Sequence, residues 1–115
     1  MHLIQKTQFL LKLTAYLAQS KKPVAYIAGK VTGLPVEVYK AKFAKSKAKL
    51  EEFYLVLNPC DFISPDTPWE EAMLMSMILL SVSDTICLQP DWHDSRGAKA
   101  EWTNAVLFNL KFIYE

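Results

Sequence analysis

The sequence has almost no net charge, no cysteine framework and no long uncharged apolar run, and each absence removes a class of function. Thirteen basic residues against 12 acidic ones leave a formal charge of +1, which gives no long-range field to draw in nucleic acid or an anionic membrane. The two cysteines, Cys60 and Cys87, stand far apart. They lack the spacing of a metal site or a secreted disulfide scaffold, so they read as buried thiols in a reducing compartment, the cytoplasm. No cluster of His, Cys and carboxylates has ligand spacing, so neither a metal nor a cofactor is expected. The longest uncharged apolar run, residues 72–83, falls short of the roughly 20 residues that a bilayer core requires. Residues 9–18 loosely suggest a signal peptide, but Lys12 interrupts them and the start carries little charge, so secretion is not expected. There is no internal repeat or low-complexity segment.

What is present is a single-domain length of 115 residues with strand and helix patterns in alternation. Leu3, Leu10, Leu13 and Leu17 recur at helical spacing and predict an amphipathic helix over residues 1–20, ended by Lys21-Lys22-Pro23. Residues 24–28 form an apolar run that stops at Gly29, and a loop with Thr32 and Gly33 follows, a pattern of buried strand and ligand-approachable turn. Over residues 36–52, Tyr39, Phe43 and Leu50 share one helical face, and the lysines between them form a solvated face. Residues 54–57 read as a second strand, and residues 60–67 as a loop with the turn signal Pro65-Asp66.

Pro68 opens a helix whose residues 72–80 are apolar all round, with Ser76 the one hydroxyl. A sheet covers only one face of a helix, so the other face is expected to meet a second subunit or the N-terminal helix. Residues 85–88 give a third strand, 97–109 a helix and 111–114 a fourth strand. The alternation predicts an α/β fold with a parallel sheet flanked by helices.

Residues 88–101 concentrate the chemistry. Asp91, His93, Asp94 and Ser95 crowd a loop that runs into a helix N-terminus, the usual ligand position in parallel sheets. Ala98, Glu101, Ala105 and Phe108 follow at helical spacing, which sets a carboxylate on or beside an apolar stripe. Such a group either faces a cleft, with perturbed acidity, or pairs with Arg96 or Lys99. Asp84, at a helix-to-strand junction, reads as structural.

Several of these residues occur in a recurring combination. Tyr26-Ile27-Ala28-Gly29 with Thr32-Gly33, Leu57-Asn58-Pro59, Pro65-Asp66-Thr67-Pro68-Trp69, Asp84, and Asp91-Trp92 with Ser95-Arg96-Gly97-Ala98 and Glu101 resemble the nucleoside 2-deoxyribosyltransferase-like superfamily. The likeness is greatest to a small bacterial and phage branch described as a domain of unknown function. It covers residues 23–115 and leaves residues 1–22 as an appended helix.

The resemblance implies a flavodoxin-like (Rossmann-like) sheet of four to five strands and chemistry at the N-glycosidic bond of a nucleoside or nucleotide. It casts Glu101 as the nucleophile that forms a glycosyl-enzyme intermediate, with water or a second base completing hydrolysis or transfer. Tyr26, Gly29, Thr32 and Gly33 would line the sugar or base pocket, and Ser95 and Gly97 would hold a sugar hydroxyl or 5′-phosphate. Trp92 joins these as a substrate-binding candidate, and a homo-oligomer is implied. One departure stands out: the relatives carry an aspartate where this chain has Ser76, so the acid partner is missing from its usual place. Ser76 itself stays a substrate-binding candidate, and Asp91, with His93 and Asp94, is the candidate substitute proton donor. The readings that follow are an N-glycosidic-bond enzyme, a catalytically weakened nucleotide-binding module, and an oligomeric interaction protein.

Overall fold

A computed structural model describes residues 2–115, so Met1, where the expected first helix begins, lies outside the described residues. The elements in chain order are α1 (Leu3–Leu17), β1 (Val24–Ala28), α2 (Val36–Leu50), β2 (Leu55–Leu57), α3 (Trp69–Ser81), β3 (Thr85–Leu88), α4 (Arg96–Leu107) and β4 (Lys111–Tyr114). Short 3₁₀ turns at Pro59–Asp61 and Trp92–Asp94 follow β2 and β3. The four strands make one parallel sheet in the order β2-β1-β3-β4, the α/β arrangement that the alternation predicts.

Side chains alternate across the sheet and divide the core in two. Tyr26, Ala28, Leu57, Ile86 and Leu88 face the layer that contains α1, α3 and α4. Ala25, Ile27, Val56 and Cys87 face α2 through Tyr39, Phe43 and Leu50. The chain therefore leaves β1 toward one face and β3 toward the other. Their carboxyl ends diverge at a topological switch point, where open parallel sheets form a crevice.

Helix α1 departs from the expected stripe. Leu3 and Leu10 are exposed, whereas Phe9 and Leu13 are buried and Tyr16 and Leu17 pack beside them. The leucine spacing is helical, but the larger apolar contact comes from the two aromatics one position away. The apolar helix α3 meets this same seam in part: Met75, Leu79 and Leu80 share a core with Phe9 and Leu13, and Leu74 is its one strongly exposed apolar residue. Thus α1 supplies the second apolar neighbour expected of α3. No helix among the described residues is long and apolar enough to cross a membrane.

Two local devices fix the strand ends that matter here. Asn109 takes a left-handed conformation (φ 59°) and ends α4, and the Leu110 N–H closes on the Ala105 carbonyl at 3.0 Å, which turns the chain into β4. At the other end of the sheet, Gln89 continues β3, and its N–H donates to the Ala28 carbonyl at 2.9 Å. Its side chain lies over Gly29, where an added Cβ would sit 1.9 Å from Gln89 Oε1 and 3.1 Å from Gln89 Cβ. Gln89 is fully buried, and its Nε2 is held by Ser46 Oγ (2.9 Å) and the Lys42 carbonyl (3.2 Å), so it has nowhere to move. Gly29→Ala should therefore lower the unfolding free energy by about 1–3 kcal/mol, read from urea melts. A variant as stable as the parent would mean that Gln89 yields freely.

Candidate active site

A cleft of about 350 Å³ wraps the carboxyl end of β1. Its floor carries Tyr26 from β1, Ser76 from α3 and Glu101 from α4; its rim carries Gly29, Thr32 and Gly33 on one side and Ser95 and Gly97 on the other. Three elements thus converge on one carboxyl group. Ser95 caps α4, its Oγ accepting from the Ala98 N–H at 3.1 Å, and this sets the helix start at the cleft edge. Glu101 then falls in the second turn of α4 on the buried stripe with Ala98 and Ala105, and so points inward.

Glu101 is 6% exposed, and the Tyr26 hydroxyl donates a hydrogen bond to its Oε2. Burial disfavours the carboxylate and pushes its pKa up to about 7, against the pull of the Tyr26 and Ser76 hydroxyls, which favour the charged form. Burial also raises Tyr26 well above the ordinary phenol range, and the negative charge of Glu101 adds to it. The site therefore holds a carboxyl that exchanges its proton near neutrality, beside a phenol that stays protonated. Glu101 is the one carboxyl among the lining residues.

Asp91 and Trp92, expected at the site, do not line this cleft. Asp91 turns toward α2 instead: its Oδ2 meets Lys42 Nζ at 2.7 Å and its Oδ1 accepts from the Lys30 N–H at 3.1 Å. Partial burial works against its charge, but the Lys42 ammonium and the Lys30 N–H outweigh it and hold the carboxyl below its ordinary range. A carboxylate held ionised in this way is a poor proton donor, and its work here is to anchor the loop after β1. Trp92 stacks on Trp102 (ring centroids 5.7 Å apart) and on His93 (4.9 Å), on the side of α4 that faces β4. His93 and Asp94 are exposed and also lie off the cleft.

Asp84 serves the far end of the sheet, where its Oδ2 accepts from the Val24 N–H at 2.7 Å. Lys42, counted with a solvated face, reaches back to Asp91 and to the Lys30 carbonyl at 2.8 Å. No metal-binding group of His, Cys, Asp and Glu occurs among the described residues.

Residues with no assigned role also join the site. Trp69 lines the cleft with its ring under the Arg96 guanidinium (4.3 Å to the centroid), next to Met73 and Gly97. The signal for Trp69 lay in its position directly after Pro68 at a helix start. Cys60 lines the α2 side, its thiol pushed up to about 11, with burial the largest cause.

The raised pKa of Glu101 has a consequence for stability. The folded chain keeps the proton up to about pH 7, whereas an ordinary glutamate releases it near 4.5. Stability therefore falls as pH rises through that window, by on the order of 3 kcal/mol at most. Glu101→Gln should abolish this slope, as measured by urea midpoints at pH 5 and pH 8; equal slopes in parent and variant would refute the raised value. Tyr26→Phe removes a hydrogen bond that favours the carboxylate, so a carboxyl titration followed by NMR should move to higher pH.

The sequence profile of a family described as a domain of unknown function (DUF4406) matches residues 23–114. No curated protein matches the chain. The matched region runs from β1 to β4 and contains Tyr26, Ser76 and Glu101, while α1 lies before it. The chain belongs to the DUF4406 family.

Proposed function

We propose that the protein acts on the N-glycosidic bond of a 2′-deoxynucleoside or its 5′-monophosphate, with Glu101 as nucleophile. The observation that carries this reading is the buried Glu101 carboxyl, bonded to Tyr26 at the floor of a cleft between the carboxyl ends of the strands. The resemblance of the sequence to nucleoside 2-deoxyribosyltransferase-like proteins supplies the substrate class. In the reaction a Glu101 oxygen attacks C1′, the C1′–N bond breaks, and its electron pair leaves with the base, which takes a proton from solvent. Water then cleaves the glycosyl ester and restores the carboxylate; a second base in place of water gives transfer. Tyr26 orients the attacking oxygen, and the rim at Ser95 and Gly97 suits a sugar hydroxyl or phosphate through the N–H groups of the first turn of α4. A reducing, cytoplasmic setting suits the free Cys60 and Cys87, and a homo-oligomer belongs to the same reading.

A second reading, a nucleotide-binding module with weakened chemistry, is favoured by a specific observation. Ser76 stands beside Glu101, and no other carboxyl lines the cleft to act as acid. A panel of deoxynucleosides and their 5′-monophosphates, scored for base release by chromatography and for thermal stabilisation, separates the two. The enzymatic reading expects base release that increases as pH rises through about 7 and falls roughly a thousandfold in Glu101→Gln. The binding reading expects stabilisation without release, and a gain of release in Ser76→Asp. Neither stabilisation nor release from any member of the panel would sink both.

A further inference from the structure

Helix α1 lines none of the cleft but packs on the loop that forms one of its walls. The loop after β2 contributes Ile63, Ser64, Pro65 and Thr67 to the cleft, and the residue just before them, Phe62, turns the other way into α1. There the Phe62 ring receives Phe9 edge-on (centroids 6.3 Å apart) and Tyr16 edge-on (5.7 Å), and Lys12 Nζ lies 5.1 Å from its centre. The Lys12 ammonium also donates to the Asp61 carbonyl, and the Tyr16 hydroxyl donates to the Val56 carbonyl of β2 at 2.6 Å.

The backbone bonds of the loop stay local. Phe62 and Ile63 N–H groups bond the Pro59 carbonyl, and the Thr67 N–H bonds Ser64. Its docking therefore depends on side chains: Phe62 and Ile63 against the core that includes Phe9 and Leu13 of α1, Lys12 on the Asp61 carbonyl, and the exposed Asp61–Lys47 pair at 3.1 Å. The attachment of α1 is itself narrow. Phe9 and Leu13 are its buried residues, and an open groove of about 650 Å³ runs between its first turns, the loop and α3. An element held by one apolar seam belongs to the low end of local stability, where opening occurs without global unfolding.

We propose that α1 is a strap on the cleft: by gripping Phe62 it sets the position of the loop after β2, and its release opens that wall while the sheet stays folded. Phe9, Lys12 and Tyr16 are then positioning residues for whatever ligand the cleft takes, although none of them lines it. Helix α1 lies before the matched region, and Phe62 lies within it.

Hydrogen exchange of the full chain, read by mass spectrometry, tests this. Lys12→Met removes the ammonium from the Phe62 ring and the donor from the Asp61 carbonyl at an exposed position, so the fold is retained; Phe9→Ala removes one edge of the ring cage. The strap predicts that the amides of Phe62, Ile63 and Thr67 exchange about tenfold faster in either variant, while those of β3 keep the parent rate. Unchanged loop exchange in both variants, or a parallel rise in β3, overturns the proposal. Should Phe9→Ala not fold, Lys12→Met alone decides.

Discussion

The hydrogen bond from Tyr26 to Glu101 is the contact on which the site depends. A carboxyl placed on the buried stripe of α4 carries a desolvation cost that grows with its charge, and a buried phenol costs as much again when it has no partner. Brought together, each satisfies the other: the phenol O–H donates a hydrogen bond to Oε2, and the carboxyl is neutral or charged according to pH. The bond also ties the middle of β1 to the second turn of α4, elements 75 residues apart in sequence. Burial costs stability at neutral pH and in exchange holds the carboxyl in one orientation with a pKa of about 7.

That contact exists because the parallel topology diverges at β1 and β3. The helix after β1 covers one face and the helix after β3 the other, so the space above the two strand ends is unfilled by either. Gly29 lines this space, and the Gln89 side chain occupies the volume a Cβ there would need. Gln89 Oε1 is left without a hydrogen-bond partner while Nε2 binds α2 twice. Asp91 and Lys42 brace the same loop from the outer side, an ion pair about a third exposed and worth correspondingly little in stability, but specific in geometry.

What the sequence revealed follows from which interactions are local. Strands β1, β3 and β4 were legible as short apolar runs between breakers, and Glu101 was legible because helical spacing put it beside Ala98 and Ala105. Periodicity was half right on α1: Leu13 and Leu17 pack inward as their spacing implies, but Leu3 and Leu10 are exposed and Phe9 and Tyr16 make contacts in their place. The partners of the inward stripe, Phe62 and the core residues of β2 and α3, are distant in sequence. Asp91 and Trp92 are close in sequence to Glu101 yet turn away from it, because the 3₁₀ turn Trp92–Asp94 reverses the loop and Lys42 captures the carboxylate. Nearness along the chain was the wrong guide there, and the partner that decided it sits on another helix. Gln89 gave no signal at all, since a polar residue after a strand ordinarily marks a loop.

The chemistry the site can support is narrowed by what surrounds its one carboxyl. A glycosidic bond cleaved through a carboxylate nucleophile normally needs a second group to protonate the departing base. Tyr26 cannot be that group, because burial and the charge of Glu101 both hold its proton more tightly than in water. Nor can Ser76, whose hydroxyl has no acidity near neutral pH, and Asp91 is engaged off the cleft as an ion. Glu101 itself cannot act as nucleophile and acid in the same step. A glycosyl reaction here would therefore draw the leaving-group proton from water entering at the mouth, or require a base that departs readily as an anion. The first condition would make the rate of such a reaction sensitive to how open the cleft wall is, and so to the loop that packs on α1.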